Sequence, residues 1–312
     1  TLNEATNSFY FTAAPEHPEQ RFLFKGSLDG SQPVERVTPA SFAGNNSYYM
    51  SKDASYAMHT HSRFNQPPAS QIIRTEGHAT ITQLTTNDAL NAQLANEVLP
   101  SHEFFSVEAR DGVELDGWIM FPADMDPNKK YPIIFYVYGE PWGSTVQDRW
   151  GGNSYLWNSM MTQKGFIMAS VDNRGTRAPK GRDWRKSIYK KIGSVTVRDQ
   201  ADALDAMAAR WSQIDTSRVG VWGHSGGGSS TLNLLFRHGD KFHVGVAQAP
   251  VADIRYYDTI YQERYSGNPN TDPDSYTQTS PVTFAKDLQG NLLLVHGTGD
   301  DNVHYQGTEA LI

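Results

Sequence analysis

The stretch Val219-Gly220-Val221-Trp222-Gly223-His224-Ser225-Gly226-Gly227-Gly228 constrains this chain more than any other. An alternating apolar run ends in Gly-x-Ser-x-Gly, and the helix-forming segment Ser230 to Phe236 follows directly. Strand, sharp turn and helix in that order form a nucleophile elbow, which presents a serine hydroxyl at the carboxyl end of a strand. Glycines at 223 and 227 let such a turn close without a Cβ in the way. Ser225 is therefore the candidate nucleophile. Ser229 and Ser230 fall inside the helix and are not.

The surroundings suit that placement. From about residue 104 the chain alternates buried-strand patterns with helical ones. The apolar runs are Tyr131 to Gly139, Gly165 to Gly175, Val244 to Pro250 and Asn291 to Gly297, and a helical pattern spans Val197 to Trp211. Continuous apolar strands between helices predict an α/β fold with a mostly parallel, doubly wound sheet, here an α/β-hydrolase. Earlier residues read differently, as short strands and turns at Ser8 to Thr12, Arg21 to Lys25, Val34 to Thr38, Ser47 to Met50, Tyr56 to His61, Gln71 to Arg74 and Thr80 to Leu84. Four-strand groups recurring at roughly forty residues are the pattern of β-propeller blades. Two groups cannot close a propeller, so residues 1–95 are expected to be the last blades of one. Residues 96–312 are expected to be the catalytic domain, lacking its C-terminal part.

Composition removes other chemistries. The chain has no cysteine, which excludes disulfides, thiolate metal sites and a cysteine nucleophile. Its net charge is −7, and no basic cluster with interleaved aromatics is present, so nucleic acid is not an expected partner. No apolar run is long enough to span a bilayer. No cofactor is called for. His59 and His61 alternate on one strand and so share a face, a metal-compatible spacing. Without a third ligand nearby, an exposed blade face is the reading adopted, and no metal is assigned.

A serine nucleophile needs a base, and the base needs an acid to hold its tautomer. On this fold the order is Ser, acid, His. Asp300 lies in the loop after the strand Leu292 to Val295, where the acid belongs. An N-cap is the alternative use of such an Asp, and Asp301 suits that better. The base belongs after a further helix and strand. His304 is too close to Asp300 for that and is read as packing beside the site, and His296 as structural. The catalytic histidine is therefore expected outside residues 1–312, leaving this segment inactive by itself.

At these residues the chain resembles the prolyl oligopeptidase family, in its dipeptidyl peptidase IV branch. Ala249-Pro250-Val251, Tyr256 to Tyr265 and His296 to His304 carry the resemblance, with Arg63 to Pro68, Tyr136 to Pro141 and Asp172 to Gly175 in agreement. It implies Ser225 as nucleophile, Asp300 as triad acid, and an oxyanion hole made by the Tyr138 hydroxyl and the Gly226 N–H. It implies that Val251, Ile254, Tyr257, Tyr261, Asn302 and Val303 line the pocket for the penultimate substrate residue, proline or alanine. Without the resemblance, a packed strand-end aromatic is the alternative reading of Tyr138, and helical neighbours in a core that of Tyr257 and Tyr261. The family usually has tyrosine after the serine and tryptophan near the pocket, where this chain has Gly226 and Ile254. Both changes predict a roomier pocket. No adjacent Glu-Glu pair of the kind that holds a substrate amine occurs in the chain.

The implied activity is a serine exopeptidase that releases N-terminal dipeptides through an acyl-enzyme. The alternatives are an acylaminoacyl peptidase or esterase on the same fold, or a non-catalytic interaction protein of the family. The resemblance further implies peptide substrates, a periplasmic or secreted bacterial setting, and a homodimer.

Overall fold

The computed structural model describes residues 1–312. Its strands are β1 (Leu2–Asn3), β2 (Ser8–Ala13), β3 (Phe22–Ser27), β4 (Glu35–Arg36), β5 (Asn45–Met50), β6 (Tyr56–Arg63), β7 (Gln66–Arg74), β8 (Ala79–Thr85), β9 (Ser101–Glu108), β10 (Glu114–Phe121), β11 (Tyr131–Tyr136), β12 (Ile167–Asp172), β13 (Ile214–His224), β14 (Val244–Gln248) and β15 (Asn291–Val295). The α-helices are α1 (Asp88–Leu94), α2 (Asn153–Gln163), α3 (Gly181–Lys186), α4 (Ile192–Arg210), α5 (Gly226–Arg237), α6 (Thr259–Ser266), α7 (Pro273–Thr279) and α8 (Gln306–Leu311). Residues 1–99 with 147–158 make one compact unit, and residues 100–146 with 159–312 the other.

The first unit holds two four-stranded antiparallel sheets, β1-β2-β3-β4 and β5-β6-β7-β8, each in sequence order. Such meanders are what propeller blades are made of. In β6 the two-residue period buries Ala57, His59 and His61 and exposes Tyr56 and Met58. The two histidines do share a face, but it is the buried one, which corrects the expectation of an exposed blade surface. His59 Nε2 meets Asn46 Oδ1 at 2.8 Å and its Nδ1 meets Gln71 Nε2 at 3.1 Å, while His61 Nε2 lies 2.7 Å from the Ala43 carbonyl oxygen. Both ring nitrogens of His59 are thus spent on protein partners. Burial pushes its imidazole down to about 3, so it packs as a neutral ring, edge-on to Phe42 and stacked on Tyr48.

The 147–158 excursion is tied into this unit by Asp148, whose carboxylate accepts the Phe64 N–H at 2.8 Å and whose own N–H donates to the Glu19 carbonyl at 2.8 Å. The Trp150 N–H donates to Ser62 Oγ at 3.4 Å and the buried Tyr155 ring meets Phe64 edge-on, so the excursion is held by scattered contacts with no periodic pattern in sequence.

The second unit is built on a seven-stranded sheet of order β15-β14-β13-β11-β12-β10-β9. Strands β9 and β10 pair antiparallel, β10 pairs antiparallel with β12, and the five strands from β12 to β15 are parallel neighbours. Helices α3 and α4 join β12 to β13, α5 joins β13 to β14, and α6 and α7 join β14 to β15. All six residues of β12 are buried, which is why it reads as an unbroken apolar run rather than an alternation. Helix α4 buries Ile192, Val195, Asp199, Ala203 and Met207, at three- and four-residue spacing along one stripe. Its buried Asp199 is paired with Arg174, which also meets Asp111 at 2.8 Å. Arg174 therefore pins the loop after β12. This is the α/β-hydrolase framework, and its parallel strands end where Ser225 stands.

Candidate active site

Ser225 sits between β13 and α5 at φ 58° and ψ −121°, a conformation that costs a non-glycine residue on the order of 1–3 kcal/mol. The strain is held by packing on both sides. A Cβ at Gly223 or Gly227 would collide with the Val137 carbonyl oxygen, so only glycine lets the elbow lie this close to the backbone that follows β11. The Ser225 N–H donates to the Gln248 carbonyl at 2.9 Å, fixing the turn to β14. The neighbouring hydroxyls are occupied. Ser229 Oγ lies 2.9 Å from both the carbonyl and the N–H of Val251, and Ser230 Oγ donates to the Tyr138 and Gly226 carbonyls at 3.0 Å. Neither is placed to attack a substrate.

A cavity of about 300 Å³ opens beside Ser225. Tyr138, Gly226, Val251, Ile254, Tyr257 and Tyr261 line it, joined by Glu140 and Trp142. Asn302 and Val303 stand one contact away. Asn302 Oδ1 accepts from the Tyr257 hydroxyl at 3.4 Å, and Val303 packs in the cluster of Val251, Ile254 and Tyr276. The predicted pocket residues thus come from two segments, 251–261 and 302–303, and meet Tyr138 and Gly226 from two others. The Tyr257 and Tyr261 rings meet edge-on at 5.8 Å, and Tyr257 also packs against the Val251, Ile254, Tyr276 and Val303 cluster.

Gly226 is the first residue of α5, where backbone N–H groups have no intrahelical acceptor. Tyr138 follows β11, half-buried, its ring over Gly143. Burial first, and then the Glu140 carboxyl, push its hydroxyl up to about 12, so it remains a proton-bearing donor through the neutral range.

Asp300 lies in the loop after β15. Its Oδ1 accepts the N–H groups of Asn302 at 3.0 Å and Val303 at 2.9 Å, and these bonds hold its carboxyl below the usual range. Its Oδ2 is 3.4 Å from Nε2 of His296. His296 is itself buried, with Nδ1 at 2.7 Å from Thr308 Oγ1 and Nε2 at 2.8 Å from the Val303 carbonyl, so it braces the loop. His304 is exposed, and the packing anticipated for its ring is not found. None of the ten histidines hydrogen-bonds Ser225 Oγ.

Sequence reasoning missed Glu140. A Cβ at Gly226 would collide with the Glu140 Cγ, so the space freed by glycine after the serine is filled by this side chain and not left open. Glu140 is buried, and its Oε2 accepts the Tyr261 hydroxyl at 2.9 Å. The available signal was a carboxylate two residues after Tyr138 combined with a residue after Ser225 that has no side chain to contest the volume. Burial raises the Glu140 carboxyl from an ordinary 4.5 to about 7, against the Tyr261 hydrogen bond, which lowers it.

A carboxyl that holds its proton more tightly when folded stabilises the fold fully below its unfolded value. That contribution is lost as pH rises through the folded value. For Glu140 the window is roughly pH 4.5 to 7, and the loss is on the order of 3 kcal/mol. Glu140→Gln, which cannot ionise, is expected to be more favourable to stability at pH 8 than at pH 4.5 by that amount. Urea unfolding of variant and parent at both pH values checks this; an effect equal at the two pH values contradicts it.

The chain is similar in sequence and in structure to known peptidases. The sequence model described as "Prolyl oligopeptidase family" matches residues 153–312, and that of the "Dipeptidyl peptidase IV (DPP IV) N-terminal region" matches residues 1–68. Dipeptidyl peptidase 4 of Trichophyton rubrum is 32% identical over 308 residues, which cover 97% of this chain and 39% of that protein. A probable dipeptidyl-aminopeptidase B of Emericella nidulans is 37% identical over 313 residues, covering 97% of this chain and 33% of the relative. The crystal structure of Porphyromonas gingivalis dipeptidyl peptidase 4 superposes with a TM-score of 0.92 at 33% identity, over 98% of this chain and 42% of that one. The chain therefore spans well under half the length of the curated relatives it matches.

Proposed function

The chain belongs to the prolyl oligopeptidase family, and we propose that the protein carrying it is a serine exopeptidase releasing dipeptides from the free amino terminus of peptides. Ser225 Oγ attacks the carbonyl carbon of the penultimate residue while its proton passes to a histidine. The oxygen of the tetrahedral intermediate takes up hydrogen bonds from the Gly226 N–H and the Tyr138 hydroxyl. Collapse expels the amine of the shortened peptide, which receives that proton, and leaves the dipeptide as an ester on Ser225. Water, deprotonated by the same histidine, hydrolyses the ester.

The observation that carries this reading is the strained Ser225 beside a half-enclosed cavity to which Tyr138 and Gly226 also belong. Asp300 is assigned as the acid that orients the histidine. Its lowered carboxyl stays ionised at neutral pH and its Oδ2 is not tied to a backbone N–H. The histidine itself is assigned to a position outside residues 1–312. Residues 1–95 are assigned to the last blades of a propeller and residues 96–312 to the catalytic domain. The names of the relatives support dipeptide release, and the apolar and aromatic lining from Val251, Ile254, Tyr257 and Tyr261 suits a compact penultimate side chain such as proline or alanine.

The test compares Gly-Pro and Gly-Ala chromogenic amides with their N-acetylated counterparts on the intact protein. Turnover of the free amines and loss of at least about a hundredfold on acetylation, as for a buried ammonium deprived of its partners, is the expected result. Faster turnover of the acetylated series identifies an acylaminoacyl peptidase instead, and turnover of neither supports a binding shell.

A further inference from the structure

We propose that Glu140 is a specificity-determining residue of the cavity beside Ser225, and that it selects a penultimate residue whose side chain donates a hydrogen bond. Serine, threonine or hydroxylated proline is then favoured over alanine or proline of matching shape. This inference rests on the exopeptidase reading and names the substrate class within it.

Three observations carry it. First, Glu140 lines the cavity although it is buried, and only one of its carboxyl oxygens is committed, Oε2 to the Tyr261 hydroxyl at 2.9 Å. Second, it has no counter-charge. No lysine or arginine pairs with it, and burial and the Tyr261 hydrogen bond are the influences on its ionisation. Third, it is built in place: a side chain at Gly226 would strike its Cγ, so this glycine and this glutamate are matched parts of one wall.

The consequence is chemical. When a proline ring or an alanine methyl closes the cavity, the remaining carboxyl oxygen is stripped of solvent and given nothing in return. Leaving that oxygen unpaired, an acceptor when the carboxyl is ionised and a donor when it is protonated, is costly, more so than a made hydrogen bond is favourable, and a hydroxyl can partner either form. A hydroxyl on the penultimate side chain supplies the missing donor at little change in volume. A lysine or arginine brings a second charge into the enclosure, and its desolvation offsets the attraction. The neighbouring wall at Val251 and Ile254 is apolar, so the donor is read on the Glu140 side.

Matched substrate pairs test it directly. On the intact protein, kcat/KM is measured for Gly-Ser against Gly-Ala and for Gly-hydroxyproline against Gly-Pro as p-nitroanilides, with Gly-Lys alongside. The hydroxyl is expected to favour each pair by about tenfold, from the cost of an unpaired buried acceptor. In Glu140→Leu the ratios are expected to fall to about one, and in Glu140→Gln, which keeps an acceptor, to remain above it. Ratios of one or less in the parent protein overturn the proposal whatever the variants do. So do parent ratios that persist in Glu140→Leu, and so does Gly-Lys exceeding Gly-Ser, which makes the carboxylate a counter-ion.

The exopeptidase reading fails separately, by absence of turnover of all five. The pocket is then read by protection of Ser225 from fluorophosphonate labelling. Gly-Ser protecting at about tenfold lower concentration than Gly-Ala supports the proposal, and equal protection overturns it.

Discussion

Ser225→Ala abolishes peptide hydrolysis by the intact protein, lowering kcat by on the order of a millionfold, as loss of the nucleophile does in a well-studied serine protease. The size follows from what the other groups can do alone. Without Oγ there is no acyl-enzyme, and only binding and the oxyanion donors remain to act on direct attack by water. Ser229 and Ser230 cannot substitute, because their hydroxyls are hydrogen-bonded to the carbonyls of Val251, Tyr138 and Gly226. The fold should tolerate the change, since Ser225 is held through its backbone N–H to Gln248 and through the glycines around it. Steady-state kinetics beside an unfolding curve separate the two effects. Activity within tenfold of the parent in a folded variant contradicts the assignment.

Tyr138→Phe lowers kcat by about a hundred- to a thousandfold with little change in KM, the cost of removing one oxyanion donor. Its hydroxyl is proposed to serve oxygen charge that develops after binding, so the loss belongs to the transition state and not to the ground state. Burial and Glu140 keep the phenol protonated to about 12, which preserves the donor throughout the working range. The aromatic ring, over Gly143, is retained in the variant. A rise in KM at unchanged kcat, or no change in either, returns Tyr138 to a packing role.

Much of this molecule was legible in the chain because its determinants are local. The elbow is written in consecutive residues, and β12 shows its burial as six successive buried side chains from Ile167 to Asp172. The meanders declare themselves through period-two alternation, as in Tyr56 to His61. What alternation does not reveal is which face is covered. With no third ligand nearby, His59 and His61 read as an exposed blade face, whereas Asn46, Gln71 and the Ala43 carbonyl partner their rings on the buried face.

The candidate site divides in the same way. Ser225, Tyr138, Tyr257 and Tyr261 follow from position and resemblance. Glu140 does not, because its meaning depends on the absent Cβ of Gly226, eighty-six residues later in the chain, and on the Tyr261 hydroxyl. The change to Gly226 read as an empty wall in sequence; packing shows that a carboxyl occupies it. The 147–158 excursion was hidden for a similar reason, since Asp148, Trp150 and Tyr155 hold it through partners at Phe64 and Ser62, more than eighty residues earlier in the chain.

The central claim is that Ser225 is the residue that becomes acylated. Reaction of the intact protein with a fluorophosphonate, followed by tryptic digestion, places Ser225, Ser229 and Ser230 together on the peptide 219–237. Fragmentation of that peptide is expected to locate a single stoichiometric adduct on Ser225. An adduct on Ser229 or Ser230, an adduct on another peptide, or a folded protein that takes up no reagent at all contradicts the account.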